Sequence, residues 1–128
     1  MIRVGVIGLG DISKVHIPII KANEHLQLVA VSDLDINQWF DDPYIHFYED
    51  YKQMLDRENL DCVHICLPHY LHAPVTTECI QRGVHVFLEK PMGINLIEVQ
   101  ELVDIEKNAT NAKINLCLQN RLNNTSIH

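Results

Sequence analysis

The sequence predicts an α/β protein built on a doubly wound parallel sheet of about six strands, the Rossmann type, with helices on both faces. Three observations lead to this prediction. Short apolar segments rich in β-branched residues recur along the chain, as strands buried on both faces of a parallel sheet require. Segments able to form helices separate them, and the first apolar segment runs directly into a glycine-rich turn.

The first half of the chain contains three of these strands. Ile2–Ile7 is followed by the glycine turn and a helix over Lys14–Lys21, and Leu26–Ser32 forms the second strand. The segment Leu34–Tyr44 has room for only one or two helical turns before a brief third strand over Ile45–Tyr48. The connection between the second and third strands is therefore expected to be short.

The second half repeats the alternation with clear boundary signals. Asp50 and Gln53 form a capping pair for a short helix that ends near Glu58. The next helix has a proline, Pro74, near its first turn and a glycine, Gly83, just past its last turn. The remaining predicted strands are Leu60–Leu67, which Pro68 ends, Val84–Leu88 and Lys113–Gln119. One predicted helix lies between Pro74 and Gly83. The other ends near Asn108 and is capped by Asn95 and Glu98, with Ile94 and Val99 as its hydrophobic staple.

The turn after the first strand has the spacing of a dinucleotide-binding fingerprint, Gly8-x-Gly10-x-x-Ser13. Gly8 allows a tight turn, and Gly10, which has no Cβ, lets the backbone approach a pyrophosphate. The N–H groups of the turn, Asp11 and Ile12 included, and the positive end of the helix dipole then face the phosphate charge. Ser13 stands where a third glycine or an alanine is usual and is small enough for close helix–strand packing.

An acidic residue at the end of the second strand strengthens this interpretation, since the glycine spacing alone also occurs in ordinary βα turns. Asp33 lies twenty residues past Ser13, where an acid accepts hydrogen bonds from the adenosine ribose. Asp33 and Asp35 would repel a ribose 2′-phosphate, and no Lys or Arg occurs between residues 22 and 51. The sequence therefore predicts NAD in preference to NADP.

Composition and charge narrow the class of partner. With 128 residues and a formal net charge of -7, the chain is expected to be one domain without the basic surface that nucleic acid or an anionic membrane requires. No segment is apolar over the ~20 residues of a membrane span and no signal peptide pattern is seen, so a cytoplasmic location is expected. The cysteines lie in apolar segments and are expected to be buried, reduced thiols, and the histidines outside the strand-end loop have no metal-ligand spacing, so no metal site is predicted.

In a doubly wound sheet the carboxyl ends of strands one, two, four and five converge on one crevice. Lys90 is the candidate for chemistry, because an ammonium at a strand end could orient a substrate hydroxyl or carbonyl and share in its proton transfer; the alternative is an ion pair with Glu89 or a solvated lysine. His69 and His72 flank the same crevice, although single loop histidines often have no such role. The predicted cofactor contacts are Gly8, Gly10, Asp11, Ile12, Asp33, Leu67, Pro68, His69, His72, Glu89 and Lys90.

Four segments together resemble the N-terminal domain of the Gfo/Idh/MocA family, the oxidoreductases named for glucose-fructose oxidoreductase and myo-inositol dehydrogenase. They are Val6–Gly10, Val29–Asp33, Pro68–Ala73 and Glu89–Pro91. The resemblance implies that Lys90 lies beside the nicotinamide and contributes to substrate binding and catalysis, and that a cis bond can precede Pro91. It also implies that the loop of His69 and His72 covers the nicotinamide half of the cofactor. Leu67 and His69 replace the usual Thr and Asn, which implies fewer polar contacts there.

Members of the family continue into an α+β domain that supplies most of the substrate pocket, a catalytic histidine and the oligomer surface. We expect the present sequence to lack this second domain. Residues 1–120 are therefore expected to form the dinucleotide-binding domain, and residues 121–128 the start of a connection to the missing domain, a candidate for disorder without its sheet. Substrate binding and any homo-oligomer would then depend on the missing part.

The leading hypothesis is the NAD(P)-binding domain of an oxidoreductase that transfers a hydride between nicotinamide and the CH–OH or C=O of a sugar, inositol or related polyol. By itself it would bind the cofactor without completing a reaction. An alternative is a stand-alone NAD-binding or redox-sensing module without catalysis. A third hypothesis is a methyltransferase-like fold binding S-adenosylmethionine, because glycine loops followed by an acidic strand end occur there too.

Overall fold

Six strands and four helices alternate along the described chain, which comprises residues 1–38, 42–90, 96–108 and 111–118 of a computed structural model. The strands are β1 (Ile2–Ile7), β2 (Leu26–Ser32), β3 (His46–Tyr48), β4 (Cys62–Ile65), β5 (His85–Lys90) and β6 (Ile114–Leu118). The helices are α1 (Ser13–Ala22), α2 (Tyr51–Arg57), α3 (His72–Gln81) and α4 (Leu96–Lys107), and two 3-10 turns cover Ile36–Gln38 and His69–Leu71.

All six strands are parallel and form one sheet in the order β3-β2-β1-β4-β5-β6. The chain moves outward from β1 to β3, returns to the middle of the sheet, and moves outward the other way from β4 to β6. This is the doubly wound order, in which ligands bind where the direction reverses, between β1 and β4. The predicted fold class is confirmed.

Helices pack on both faces of the sheet, as predicted. One core is formed on the face covered by α2, α3 and α4, where Met54 and Cys79 pack against Ile65 of β4. The other lies under α1, whose Ile20 is fully buried among residues such as Val6 of β1. Val6 and Ile7 of β1 belong to different cores because side chains alternate across a strand, and burial on both sides explains the continuous apolar sequence of β1. In β4, Val63 and Ile65 both face the first core.

Strand and helix ends follow the local signals in the sequence. Asp50 is the N-cap of α2, its carboxylate accepting the Lys52 N–H, and Gly83 follows α3 with a left-handed φ of 78°. The connection after β2 holds only the 3-10 turn Ile36–Gln38 in its described part, which agrees with the expected shortening. β4 is shorter than the predicted Leu60–Leu67, although hydrogen bonds to β1 continue on both sides of it.

Several sequence predictions fall outside the described residues. They concern the cap and staple before α4 at Ile94 and Asn95, the peptide bond before Pro91, and the proposed connection over residues 121–128. Among the residues that are described, no helix is both long enough and apolar enough to cross a membrane. The same described ranges contain no group of three or more His, Cys, Asp or Glu side chains that could hold a metal ion.

Candidate functional site

The turn after β1 requires glycine at position 8 for the fold itself. Gly8 has φ of 97°, a conformation that L side chains rarely adopt, and a Cβ there would lie 2.8 Å from the carbonyl oxygen of Cys66. The Gly8 N–H donates to the carbonyl of Ser32 at 2.8 Å. Gly8 thus brings the carboxyl ends of β1, β2 and β4 into direct contact.

The fold itself does not require glycine at position 10. Its φ is not left-handed, and a Cβ built on it would meet no heavy atom within 4 Å. Among the described residues, the amides of Gly10, Asp11 and Ile12 have no hydrogen-bond acceptor. A glycine that the fold does not need, beside several free N–H groups, leaves a backbone cradle suited to an anion such as a pyrophosphate.

The start of α1 is built to keep this cradle in place. Ser13 is buried, and its Oγ donates to the carbonyl of Gly10 at 2.6 Å. The small residue predicted at this position therefore packs closely and also closes the turn. The Asp11 side chain is fully exposed and lies 3.7 Å from the Lys14 Nζ, so its carboxylate points away from the core of the turn while its amide stays in the cradle.

Asp33 contacts the glycine turn directly. Its Oδ2 accepts the N–H of Leu9 at 2.7 Å, and its Oδ1 accepts the N–H of Asp35 at 2.7 Å. The acid and the turn thus lie side by side at the ends of neighbouring strands, as the fingerprint requires. Each carboxylate oxygen can accept a further hydrogen bond, so both remain able to bind ribose hydroxyls. Sequence spacing did not reveal the bond to Leu9.

A cavity of about 460 Å³ opens beside Asp33 at the carboxyl edge of the sheet. Its wall is mainly apolar with a few polar groups, the composition typical of sites for small organic ligands. The lining residues are Ile7, Gly8, Ser32, Asp33, Leu34, Glu49, Asp50, Tyr51, Leu67, Leu71 and Val75. The cavity thus unites three predicted cofactor contacts, Gly8, Asp33 and Leu67, with residues that the sequence had not indicated, namely Glu49 just after β3, Tyr51 of α2 and Val75 of α3.

The loop after β4 lies at the same edge of the sheet. It contains His69 and His72, and the structure describes the side chain of His72 only. His72 is only 4% exposed and its Nε2 lies 3.0 Å from the carbonyl oxygen of Leu67, so its ring holds the loop against the start of α3. Pro68 is exposed, and its carbonyl accepts the Leu71 N–H. His69 lies in the 3-10 turn, and its side chain is outside the described part of the structure.

Glu89 and Lys90 are the last two residues of β5. They pair in register with Cys117 and Leu118 of β6, while Leu88 pairs with Ile65 of β4. Their backbone therefore lies at the carboxyl edge, beyond the point where β4 ends. Their side chains are not among the described parts of the chain.

Two histidines without a predicted role, buried His16 and half-buried His64, form a pair away from the cavity. His16 of α1 and His64 of β4 approach within 2.8 Å between their Nδ1 atoms, and the His64 ring stacks on Phe87 at a centroid distance of 4.6 Å. Burial, and then the neighbouring His16, lower the pKa of His64 to about 4. His64 is therefore neutral at pH 7. No sequence signal relates these residues, which are 48 positions apart.

Two of the described cysteine thiols, Cys62 and Cys79, are poorly reactive at neutral pH. Cys62, Cys66 and Cys79 form no disulfide. Burial raises the pKa of Cys62 to about 11 and the pKa of Cys79 to about 12. These two thiols therefore remain protonated at neutral pH.

The chain is similar to proteins of one oxidoreductase family. A family model described as an oxidoreductase family with an NAD-binding Rossmann fold, GFO_IDH_MocA, matches residues 2–114. The uncharacterized oxidoreductase YrbE of Bacillus subtilis is 34% identical over 101 residues, which cover 76% of this chain and 30% of that protein. Myo-inositol 2-dehydrogenase of Thermotoga maritima is 29% identical over 119 residues, which cover 84% of this chain and 33% of that protein.

Solved structures show the same likeness. The WlbA dehydrogenase of Bordetella pertussis, in complex with NADH and UDP-GlcNAcA, matches with a TM-score of 0.84 and 29% identity over 97% of this chain and 39% of that chain. The present chain spans about a third of the length of the curated relatives it matches.

Proposed function

Because this chain belongs to the GFO_IDH_MocA oxidoreductase family and has its NAD-binding Rossmann fold, we propose that it is the cofactor-binding part of an enzyme that oxidises or reduces a sugar, inositol or related polyol at a CH–OH or C=O group. The observation that carries the cofactor assignment is the open backbone cradle at Gly10. The names of relatives that act on myo-inositol or were crystallised with a nucleotide sugar support the substrate class.

Different site residues bind different parts of the cofactor. The amides of Gly10, Asp11 and Ile12 bind the pyrophosphate, and Gly8 sets the turn that presents them. Asp33 accepts hydrogen bonds from the adenosine ribose, and the apolar cavity beside it, with Leu67 in its wall, receives the adenine. Pro68, His69 and His72 shape the loop toward the nicotinamide half, where Glu89 and Lys90 end β5.

NAD is the preferred cofactor in this proposal. A ribose 2′-phosphate would lie against the Asp33 carboxylate, and like charges at close range repel. The described residues that line the cavity include no Lys or Arg to offset that repulsion.

When bound, the nicotinamide supplies the hydride exchange. Lys90, at the end of β5, holds the substrate oxygen and takes part in proton movement at that oxygen. The remaining wall of the substrate pocket is supplied by protein beyond this chain, since relatives are about three times as long. The chain therefore binds cofactor but does not complete a selective reaction alone.

Calorimetric titration of the 128-residue chain with NAD, NADP and S-adenosylmethionine tests the assignment. We expect NAD to bind, and Asp33→Ala to weaken it at least about ten-fold, because hydrogen bonds to a charged group are lost. Asp35→Ala is the matched control, since it removes the same charge from a residue that does not line the cavity. Binding of S-adenosylmethionine alone, or equal loss in both variants, would contradict the proposal.

A further inference from the structure

The end of β3 lies directly beside the proposed ribose site. Ser32 of β2 pairs with Tyr48 of β3, and the Asp33 N–H donates to the Tyr48 carbonyl at 3.1 Å. Glu49 is the next residue along the chain and lines the cavity together with Asp33. Because neighbouring strands are about 4.8 Å apart, a ligand held by Asp33 also comes close to Glu49.

The carboxylates around the cavity differ in what they already bind. Both oxygens of Asp33 accept backbone N–H groups, and Asp50 accepts the Lys52 N–H as the cap of α2. Glu49 is exposed, and within the described chain it has no hydrogen-bond or ion-pair partner. Its charge is therefore uncompensated and available to act on a ligand.

Asp35, the second acid that the sequence had indicated, does not take this position. Its Oδ1 accepts the N–H of Asn37 at 3.0 Å, and its side chain is exposed away from the cavity lining. The structure thus replaces Asp35 by Glu49 as the second carboxylate beside the ribose site.

Nearby cations do not offset the charge of Glu49. Lys52, in the first turn of α2, is exposed and is not part of the cavity lining. Arg82, whose guanidinium approaches the carbonyl of Lys52, is held in ion pairs with Asp56 and Glu78.

From this arrangement we infer that Glu49 is a second determinant of cofactor choice, which disfavours a dinucleotide carrying a 2′-phosphate. The inference rests on the proposed function and deepens it. Asp33 selects for free ribose hydroxyls by accepting their hydrogen bonds, whereas Glu49 acts only through charge. Its effect is therefore greatest on the cofactor that carries the additional 2′-phosphate, and it weakens as salt screens it.

The inference is tested by measuring how tightly the whole 128-residue chain binds NADH and NADPH. The nicotinamide fluorescence of each dinucleotide reports its binding at low and at high ionic strength. Glu49→Gln should tighten NADPH binding about five-fold at low ionic strength, as removal of one repulsive charge at this range predicts, and should change NADH binding by much less. Glu49→Lys should tighten NADPH binding further. Glu101→Gln is the matched control, because it makes the same charge change on an exposed position of α4.

The outcomes separate the two proposals. If the wild-type chain binds neither dinucleotide, the proposed function is wrong and the role of Glu49 with it. If NADH binds but the ratio of NADPH to NADH affinity is the same in both Glu49 variants as in the wild type, only the inference about Glu49 is overturned. An equal gain in Glu101→Gln would also overturn it, because the effect would then reflect net charge alone.

Discussion

Replacing each of the two fingerprint glycines by alanine should separate the needs of the fold from the needs of the ligand. At Gly10 the added methyl group enters open space, and the backbone conformation suits alanine. At Gly8 the same methyl group would lie 2.8 Å from the Cys66 carbonyl oxygen on a backbone with φ of 97°. The two changes are chemically identical and two residues apart, so each is the control for the other.

The expected changes in stability have different magnitudes. Gly10→Ala restricts the unfolded chain without straining the folded one, so the free energy of unfolding should stay the same or rise by up to about 1 kcal/mol. Gly8→Ala adds the cost of an L side chain at positive φ, about 1–2 kcal/mol, and must also displace the backbone of Cys66 just after β4, for a total loss of about 3 kcal/mol. That loss is a large part of the stability of a typical small domain.

Gly10→Ala should weaken cofactor binding even though it does not lower the stability of the fold. A methyl group between the amide cradle and the pyrophosphate removes at least one hydrogen bond to a charged group, worth about 1.5–3 kcal/mol. NAD should therefore bind roughly 10 to 100 times more weakly to Gly10→Ala, although that variant is as stable as the wild type.

Urea unfolding followed by circular dichroism gives the stabilities, and calorimetric titration with NAD gives the affinities. If Gly10→Ala binds NAD as tightly as the wild type, the open space beside Gly10 is not the pyrophosphate site. If Gly8→Ala leaves the free energy of unfolding unchanged, the contact between the turn and β4 is not as the structure shows.

Two further predictions concern groups outside the cofactor site. Because the pKa of His64 is about 4 in the folded chain and near 6.5 when unfolded, the unfolded state binds more protons between these values, so stability should fall by about 2 kcal/mol from pH 7 to pH 5. Urea unfolding at both pH values should show a smaller fall for His64→Leu, and an equal fall in the variant would contradict the assignment. The Cys62 and Cys79 thiols, with pKa values raised to about 11 and about 12, should resist iodoacetamide at pH 8 until the chain is unfolded. Mass spectrometry identifies the labelled sites, and native labelling as fast as in urea would show that the thiols are not protected by burial.

Much of the fold could be predicted because its signals are local. The apolar segments, the Asp50 cap and the left-handed Gly83 each depend on a few neighbouring residues. Element bounds were less accurate where hydrogen bonding between strands decides the end, as in β4, which the structure ends at Ile65 where Leu67 was predicted.

The candidate site was predicted only in part. Gly8 and Asp33 follow from a fingerprint with fixed spacing, and the structure brings them to one cavity. The sequence placed His72 beside the crevice, and only the structure shows that its ring is buried, with Nε2 3.0 Å from the Leu67 carbonyl oxygen. It also treated Asp35 as the second acid because Asp35 is close to Asp33 along the chain, although a turn directs these two residues differently.

By itself the sequence determined that this chain forms a parallel sheet with a glycine turn and an acid at adjacent strand ends, because strand periodicity and turn chemistry are written in consecutive residues. Only the tertiary structure decided which distant residues share the site. Pairing of β2 with β3 places Glu49 beside Asp33, and packing of α1 on the sheet joins His16 to His64. Such contacts depend on strand register and helix packing, which arise when the whole chain folds and which no short stretch of residues specifies.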